Sequence, residues 1–407
     1  MNLIEKNLSK LGPLGGHAHY AHNYFTYPRL EGELGPKMFF NGKEKLVWSL
    51  NDYLGLANHP DVRKADEEGA KQYGHAYPMG ARMMTGNTKL HELLEEKLSK
   101  FVGKEDTFLL NYGYQGMLSI IDSLVDRHDV IIYDSESHAC IIDGLRLHIG
   151  KCFVYKHNDI EDFEKQLLRA KKLTDLRDGG ILVITEGVFG MRGDTGKLKE
   201  IAAFKKKIDF TFLVDDAHGI GVMGETGAGT GEAQGVQSDI DLYFATFAKS
   251  FAAIGAFVSG KKEIIQFLRY NMRSQIYAKA LPMPLVYGLH LRLILIQTKP
   301  ELRKKLWTVT QALQKGLTES GMSIGNTETP VTPIYLEGSI KQATALVQDL
   351  REQHDIFCSM VVYPVVPHGI IILRLIPTAN HSLTQVDQTV DIFKQVRQNL
   401  IAGKYDH

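Results

Sequence analysis

The middle of the chain alternates short apolar runs with amphipathic stretches. The apolar runs predict strands at 107–110, 129–133, 151–155, 181–185, 210–214 and 242–245. The amphipathic stretches between them predict helices, clearest over 161–170 and 198–206. Strands that alternate with helices favour a mostly parallel sheet covered by helices on both faces. Ligands of such sheets bind beyond the carboxyl ends of the strands, so polar residues at those ends are candidates for chemistry.

Hydrophobic periodicity also predicts structure on either side of this region. A stripe of apolar residues at helical spacing precedes it and consists of Leu90, Leu93, Leu94, Leu98 and Phe101. Later in the chain, helical patterns flank only two strand-like runs, at 332–336 and 370–374. The last helix opens with Ser382 and Gln385, which have the spacing of a capping box. We therefore expect an N-terminal arm (1–55), a large α/β domain (56–290) and a smaller α+β domain (291–407).

Composition narrows the functional class. The 407 residues include 47 basic and 47 acidic ones, a balance that does not point to nucleic acid or to an anionic membrane. The chain has no apolar run long enough to span a bilayer and no signal-peptide pattern at its start. Its three cysteines lack metal-ligand spacing and suit a reducing cytoplasm. His17, His19 and His22 lack a carboxylate or cysteine that would complete a metal site, so no metal is expected.

A carboxylate, an imidazole and an amine follow two of the predicted strands. Asp215 and His218 come after the run 210–214, and Lys249 comes after 242–245. This combination suits pyridoxal 5′-phosphate (PLP), whose chemistry needs a Schiff-base lysine and an acid beside the pyridinium nitrogen. The residues around Lys249 are uncharged and mostly small, and burying an ammonium there is costly unless its pKa falls or it becomes an imine. Asp216 competes with Asp215 for the acidic role.

Two further residues and one turn belong to the same predicted crevice. His138 and Glu186 each fall just past a predicted strand, as Asp215 does. The segment 111–116 follows a strand and opens a helix, and backbone amides at such a start favour a phosphate. Many strand–helix turns contain glycine, so this turn alone is a weak signal. The chain contains no P-loop motif, and 74–80 does not fit a dinucleotide fingerprint.

Several motifs taken together resemble the α-oxoamine synthase family of fold-type I PLP enzymes. They follow the family order along nearly the whole chain, at 51–56, 80–82 with 85–86, 90–95, 137–144, 185–189, 214–219, 246–250, and 373–374 with His381. The resemblance implies the fold-type I architecture, which has a mostly parallel central sheet covered by helices and a smaller α+β C-terminal domain. It also implies PLP as the cofactor and a homodimer.

The resemblance assigns a role to each matched residue. Lys249 resembles the Schiff-base lysine, which also serves as the base at the α-carbon, and Arg374 resembles the arginine that grips the amino-acid carboxylate. The implied catalytic residues are Lys249, His138, Asp215 and His218. The implied cofactor contacts are Gly113, Tyr114, His138, Glu186, Asp215, His218, Thr246 and Lys249. The implied substrate contacts are Asn51, Tyr53, Arg82 and Arg374.

The implied reaction is a decarboxylative condensation of an amino acid with an acyl thioester. The chain departs from the family at Gly190, Arg192 and Lys279, where side-chain bulk is lost or positive charge is added. These changes suggest an amino acid with an extra anionic group such as a sulfonate, although both cations would also suit solvent-facing positions. The stretches 363–367 and 373–378 resemble the serine palmitoyltransferase-like branch, which includes cysteate acyltransferases of sulfonolipid synthesis. Cysteate is the favoured amino acid and serine the next.

Other functions stay open at this point. The donor would be a long-chain fatty acyl thioester of coenzyme A or acyl carrier protein, and the basic clusters 205–207 and 303–305 are either solvated faces or docking sites for such a carrier. The family also contains 2-amino-3-ketobutyrate ligases and 8-amino-7-oxononanoate synthases. An ordinary aminotransferase and a non-catalytic regulator with a PLP fold are the remaining alternatives, because fold does not determine function.

Overall fold

A computed structural model describes residues 2–8, 22–363 and 365–406. Residues 9–21 of the predicted arm, which include His17 and His19, lie outside this description. The α-helices are α1 (Leu3–Leu8), α2 (Pro60–Tyr73), α3 (Lys89–Phe101), α4 (Gly113–Leu124), α5 (Ala139–Leu147), α6 (Ile160–Thr174), α7 (Leu198–Ala203), α8 (Thr230–Ala233), α9 (Lys262–Asn271), α10 (Arg273–Ile276), α11 (Met283–Thr298), α12 (Pro300–Glu319), α13 (Ile340–Gln353) and α14 (Leu383–Ile401). The strands are β1 (Leu30–Glu31), β2 (Lys37–Phe40), β3 (Lys43–Val47), β4 (Asp106–Leu110), β5 (Val130–Asp134), β6 (Lys151–Tyr155), β7 (Ile181–Glu186), β8 (Thr211–Asp215), β9 (Leu242–Thr246), β10 (Ala256–Gly260), β11 (Thr332–Leu336), β12 (Ile356–Phe357), β13 (Ser359–Val361) and β14 (Ile371–Leu375).

A seven-stranded sheet forms the centre of the larger part of the molecule, in the order β4-β10-β9-β8-β7-β5-β6. Strands β9, β8, β7, β5 and β6 are parallel to one another, whereas β10 runs antiparallel to both β9 and β4. Each of the six strands predicted for this region is present, with ends within one residue of the prediction. The sequence analysis missed β10, because its residues were interpreted only as the surroundings of Lys249.

Helices cover this sheet because its strands are apolar on both sides. All six residues of β7 are buried, as is common in parallel sheets with two covered faces. Helix α4 contributes Met117, Ile120 and Ile121 to a core that also contains Ile131 and Leu213 of the sheet. The predicted mostly parallel sheet covered by helices is therefore confirmed.

The chain forms two compact units. The larger comprises Asn51–Gly190 and Asp194–Lys304, and the smaller comprises Met191–Gly193, Lys305–His407 and the segment before Asn51, within the described residues. Residues 51–55 and 291–304 thus belong to the larger unit, whereas the sequence pattern assigned them to the arm and to the small domain. Packing explains the second difference, because α11 runs through residue 298 against α2. Arg292 forms an ion pair of 2.6 Å with Asp66 there.

The smaller unit has its own core and two small sheets. The order β1-β2-β3-β12 joins three strands of the N-terminal segment to a strand of the C-terminal segment, and β11-β14-β13 form the second sheet. Helices α12, α13 and α14 pack on a core that includes Trp48, Leu350 and Phe393. The Ser382 hydroxyl accepts a hydrogen bond from the Gln385 amide, and the Gln385 side chain accepts one from the Ser382 amide, so the predicted capping box is confirmed.

Two local predictions need correction. Leu93 is 40% exposed, whereas His91 and Glu95 are buried on the inner face of α3. The inner face is therefore partly polar, and an apolar stripe could not reveal it. The helix predicted over 198–206 ends at Ala203 and continues as the 3₁₀ turn Phe204–Lys206. Within the described ranges, no helix has both the length and the apolar character that a membrane span requires.

Candidate active site

Four polar side chains stand at the carboxyl ends of adjacent parallel strands in the larger unit. Asp134, Glu186, Asp215 and Thr246 are the last residues of β5, β7, β8 and β9, and Glu186 is the register partner of Asp215. All four are buried, with exposed fractions between 0% and 6%. The crevice that the sequence predicted at this edge of the sheet is therefore lined by acidic and hydroxyl groups.

His138 is tied to this edge through its backbone. Its amide donates a hydrogen bond of 2.6 Å to the Oε1 atom of Glu186. Burial raises the pKa of Glu186 well above its usual range, and the charge of Asp215 raises it further. Burial lowers the pKa of the His138 imidazole, while the charge of Asp215 opposes that shift. The three predicted residues thus share one electrostatic environment.

Lys249 belongs to the same environment. It lies in the turn after β9 and is partly buried. Burial raises the pKa of Asp215, and the charges of Lys249 and His138 lower it. Because the net shift is still upward, the cations of this chain only partly compensate the buried carboxylate. Such a carboxylate is suited to holding a further cation.

The neighbouring Asp216 has a different role from Asp215. Its Oδ2 atom accepts hydrogen bonds from the Thr230 amide (2.7 Å) and the Tyr243 hydroxyl (2.9 Å), and its Oδ1 atom accepts one from the Thr230 hydroxyl (2.7 Å). The side chain is fully buried. Burial raises the pKa of Asp216 to about 6, and the hydrogen bonds from Thr230 oppose the rise. Asp216 therefore anchors the turn after β8.

His218 pairs with a residue predicted for the substrate site. Its Nδ1 atom lies 2.7 Å from the hydroxyl oxygen of Tyr53, and Tyr53 is only 1% exposed. The two rings meet edge to face, with centroids 6.1 Å apart. Tyr53 therefore contacts the His218 imidazole directly. No pattern in the sequence indicated this contact.

The residues predicted to contact the phosphate lie at the start of helix α4 and at the end of strand β9. Helix α4 begins at Gly113, and a β-carbon added there would lie 3.2 Å from the Thr246 hydroxyl oxygen. The first amides of a helix have no partner within the helix, and the helix dipole favours an anion there. The Tyr114 hydroxyl donates to the Asp143 carboxylate, and its ring lies 6.2 Å from that of His138. Gly113 and Thr246 therefore lie side by side, and the contacts of Gly113, Tyr114 and Thr246 with a phosphate stay predictions.

The other predicted substrate residues lie in different settings. Arg82 donates to both carboxylate oxygens of Glu95, at 2.9 and 3.0 Å, and Glu95 also accepts from Arg269 at 3.3 Å. Arg82 and Arg269 line a cavity of about 530 Å³ together with further acidic residues. Arg374 is buried in β14 of the smaller unit, and Asn51 is partly buried at the start of the larger unit. Their roles toward a substrate stay predictions.

The sequence analysis missed an ion-pair cluster beside the site. The Nδ1 atom of His157 lies 2.9 Å from Asp134, and its Nε2 atom lies 2.8 Å from Asp194. Asp134 ends a strand as Asp215 does, so the same strand-end argument would have found it. No group of three or more potential metal ligands of the types His, Cys, Asp and Glu occurs in the described part of the chain.

Comparison with known proteins identifies the family. The sequence profile of the aminotransferase class I and II family matches residues 43–393. The chain belongs to this family. Within it, the chain is 58% identical over 404 residues to a cysteate-C-fatty acyltransferase of Capnocytophaga ochracea, covering 99% of this chain and 96% of that protein. It is 35% identical over 393 residues to a serine palmitoyltransferase of Bacteroides ovatus, covering 96% and 97%.

Solved structures of family members share the fold. A serine palmitoyltransferase of Sphingomonas wittichii superposes with a TM-score of 0.89 at 30% identity, covering 97% of this chain and 98% of that one. A serine palmitoyltransferase of S. paucimobilis, solved with PLP and myriocin bound, superposes with a TM-score of 0.90 at 28% identity, covering 99% and 100%. The fold is therefore that of serine palmitoyltransferase, as the fold-type I prediction requires.

Proposed function

We propose that this chain is a PLP-dependent C-acyltransferase that condenses cysteate with a long-chain fatty acyl thioester. Carbon dioxide and the thiol are released, and the product is a 3-keto sulfonated long-chain base of sulfonolipid synthesis. The observation that carries the proposal is 58% identity, over 99% of the chain, to a cysteate-C-fatty acyltransferase. The strand-end cluster around Lys249 and Asp215 supplies the groups that such a reaction needs.

The residues of the larger unit fit PLP. Asp215 is 5% exposed and its pKa is raised by burial, so a protonated pyridine nitrogen beside it would supply the missing positive charge. The start of α4 at Gly113, with the Thr246 hydroxyl against it, suits the phosphate. Lys249 lies close enough to shift the pKa of Asp215, Glu186 and His138. We assign cofactor binding to this set, with His218 donating to the phenolic oxygen.

When bound, PLP supplies an electron sink that stabilises negative charge at the α-carbon of the amino acid. Lys249 takes the proton of that carbon onto its Nζ atom, and Asp215 keeps the proton on the pyridine nitrogen. Arg374 is assigned to the amino-acid carboxylate, where a bidentate guanidinium orients the substrate. Glu186 holds the loop of His138 by accepting the His138 amide.

The atoms of the condensation balance without a further reactant. A bond forms between the α-carbon and the carbonyl carbon of the thioester, the carbon–sulfur bond breaks, and the thiolate leaves. The amino-acid carboxylate then leaves as carbon dioxide. A proton returns from Lys249 to the α-carbon, and we assign to Arg374 the orientation of the carboxylate that leaves.

Steady-state turnover with cysteate, serine, glycine and alanine tests the amino acid. We expect the highest kcat/KM with cysteate, measured by release of the thiol and by mass spectrometry of the product. Serine is the second candidate, because serine palmitoyltransferases are 32–35% identical to this chain. Absence of turnover with cysteate would contradict the sulfonate proposal. Release of a keto acid without carbon dioxide would identify an aminotransferase, and no spectral response to any amino acid would identify a regulator.

The acyl carrier and the assembly are further parts of this proposal. Lys205 is paired with Asp241 at 2.6 Å, whereas Lys206 and Lys207 beside it are exposed. A salt-dependent KM for acyl carrier protein would support docking on these lysines, and a KM independent of salt would contradict it.

A homodimer is supported by exposed apolar side chains on the larger unit, namely Tyr77, Met79, Met84, Tyr270 and Tyr277. Light scattering coupled to gel filtration measures it. A cytoplasmic location stays a prediction.

A further inference from the structure

Cys140 is a buried cysteine between two residues of the candidate active site. It is 3% exposed, and its Sγ atom lies 3.0 Å from the Nδ1 atom of His138 and 4.0 Å from the Oδ2 atom of Asp215. The sequence analysis gave this residue no role, because the three cysteines lack the spacing of a metal site. A polar side chain that is buried against an imidazole and a carboxylate takes part in their hydrogen bonding.

The side chain of Cys140 is a thiol and not a thiolate. Burial raises the pKa of Cys140, and the negative charges of Asp215 and Glu186 raise it further. The sulfur therefore keeps its hydrogen near neutral pH and does not act as a nucleophile, because nucleophilic attack requires the thiolate. Its single hydrogen has two acceptors within reach. The Nδ1 atom of His138 is the nearer one, at 3.0 Å against 4.0 Å for the Asp215 carboxylate.

The backbone of Cys140 determines which nitrogen of His138 carries the proton. The Cys140 amide donates a hydrogen bond of 3.2 Å to Nδ1, which caps the start of helix α5. A backbone N–H can only donate, so Nδ1 presents its lone pair and the proton of the neutral imidazole is on Nε2. The thiol approaches Nδ1 as a second donor. A proton added to Nδ1 would meet both of these hydrogens, so the arrangement favours the neutral ring.

The other edge of the ring is available to a ligand. His138 is exposed, and among the described residues its Nε2 atom has no hydrogen-bond partner. The amide of His138 is held by Glu186 at 2.6 Å, so both the backbone and the Nδ1 edge of this residue are fixed. A protonated Nε2 can donate a hydrogen bond into the crevice, but it cannot take up a proton.

We propose that Cys140 is a positioning residue for His138, with its amide and its thiol together holding the imidazole as the neutral Nε2–H tautomer. In that form the ring offers a hydrogen-bond donor to the crevice and has no free lone pair with which to act as a base. Removal of the α-proton therefore falls to Lys249. The inference rests on the proposed function for the reaction in which His138 takes part, whereas the state of the ring is a property of the chain itself.

Nitrogen NMR of the apoprotein, labelled in its histidine rings, measures the tautomer without PLP or turnover. The signals that disappear in His138→Asn identify His138. We expect the Nδ1 atom of wild-type His138 to resonate as an unprotonated nitrogen near neutral pH, and Nε2 as a protonated one. A protonated Nδ1, or a mixture of the two tautomers, would overturn the proposal. This measurement decides the tautomer even where a variant of Cys140 folds poorly.

Variants of Cys140 separate the thiol from the amide. Cys140→Ala removes the S–H donor and keeps the amide, so the pKa of His138 should rise by about 0.5 or more, because a hydrogen bond to the neutral ring is lost. Cys140→Ser keeps a donor and should hold the pKa of His138 within about 0.2 of the wild-type value. An unchanged pKa in Cys140→Ala, or a serine variant that behaves like the alanine variant, would contradict the role of the thiol.

The comparison isolates Cys140 because the other groups around the ring stay the same in every variant. These groups are the carboxylates of Glu186 and Asp215, the amine of Lys249 and the hydroxyl of Tyr114. Cys358→Ala is the matched control, because Cys358 is also a buried cysteine but lies in the core of the smaller unit.

The control should leave the pKa of His138 unchanged. A rise equal to that in Cys140→Ala would show that loosened packing and not a lost donor is responsible, and would refute the proposal. All of these measurements use the apoprotein and are therefore independent of the amino-acid assay. Wild-type protein that fails to turn over cysteate would refute the proposed function, whereas the tautomer of His138 would still be decided by its own signals.

Discussion

The Nδ1 atom of His157 lies 2.9 Å from the Oδ1 atom of Asp134, which ends strand β5. The other ring nitrogen lies 2.8 Å from Asp194, so one imidazole joins two carboxylates. Asp134 also accepts the amides of Glu136 and Asn158. This cluster therefore supports the loop after β5, which leads into His138.

The stability supplied by His157 should decline as the pH rises. Burial alone would lower the pKa of His157, but the hydrogen bonds to Asp134 and Asp194 raise it to about 10. A pKa above the unfolded value means that the contribution is complete below about pH 6.5 and is lost as the pH rises toward the folded pKa. We expect His157→Asn to cost about 3–5 kcal/mol near neutral pH, as for a broken buried ion pair. Urea unfolding between pH 6 and pH 9.5 measures it. A difference from wild type that does not shrink with pH, or a similar loss in the exposed His128→Asn control, would contradict it.

His381 should make the protein sensitive to acid. Its ring stacks on Trp48 with centroids 3.9 Å apart, its Nε2 atom donates to the Val47 carbonyl, and its Nδ1 atom accepts the Thr378 amide. Burial lowers the pKa of His381 to about 4 although both backbone contacts oppose the shift. The neutral ring is therefore required, and its contribution is present above about pH 6.5 and lost as the pH falls toward 4.

We expect His381→Phe to keep the stack but leave the Val47 carbonyl and the Thr378 amide without the ring. The cost should be about 2–4 kcal/mol at pH 7. The stability of this variant should then change less between pH 7 and pH 5 than that of wild type, as measured by urea unfolding at both pH values. A variant with the same acid dependence as wild type would show that His381 is not the titrating group.

Arg82 has two candidate roles, a structural one through its ion pair with Glu95 and the substrate contact that the sequence suggested. A variant can distinguish them. Glu95 is 3% exposed, and removing Arg82 leaves it only the longer contact of Arg269 at 3.3 Å and the Leu109 amide. We expect Arg82→Gln to lower the free energy of unfolding by about 1.5–3 kcal/mol, the range of lost hydrogen bonds to a charged group, while the KM for the amino acid changes little. Thermal unfolding and steady-state kinetics of the same preparation measure both. A raised KM with unchanged stability would instead support the substrate role that the sequence suggested.

Lys249 should be the residue that carries the cofactor. Borohydride reduction of the protein with PLP, followed by peptide mapping, should label Lys249. Lys249→Ala should lose the label and the visible absorption of bound PLP, and its turnover should fall by several orders of magnitude. Lys64→Ala, at an exposed position of α2, serves as the control and should retain all three. Reduced wild-type protein without a label at Lys249 would refute the PLP assignment.

Neutralising Asp215 and neutralising the adjacent Asp216 should affect the stability of the apoprotein in opposite directions. Burial raises the pKa of Asp215, so its charge opposes folding of the apoprotein at neutral pH. We expect Asp215→Asn to leave apoprotein stability unchanged or raise it by up to about 2 kcal/mol, while kcat falls about 100-fold or more. Asp216→Asn should instead lower stability by about 1–3 kcal/mol, because it disturbs the hydrogen bonds from Thr230 and Tyr243. Thermal unfolding of both apoproteins compares them, and equal losses of stability would contradict the distinction.

Much of the fold and of the site could be read from local patterns. Strands of the central sheet were predicted because buried parallel strands are continuous apolar runs, and Asp215 and Glu186 were found because they end such runs. Strand β10 was not predicted, because its residues follow the turn of Lys249 closely. The inner face of α3 was predicted to be apolar, but His91 and Glu95 are buried there because they have tertiary partners.

The sequence by itself determined the alternation of strands and helices, the capping box at Ser382 and the groups at the strand ends, since each depends on residues close together in the chain. Only the tertiary structure decided that Asp216 accepts the hydrogen bonds of Thr230 and Tyr243, and that Tyr53 meets His218. These relationships join residues up to 165 positions apart. Packing and burial, which determine their distances and pKa values, arise only when the chain has folded.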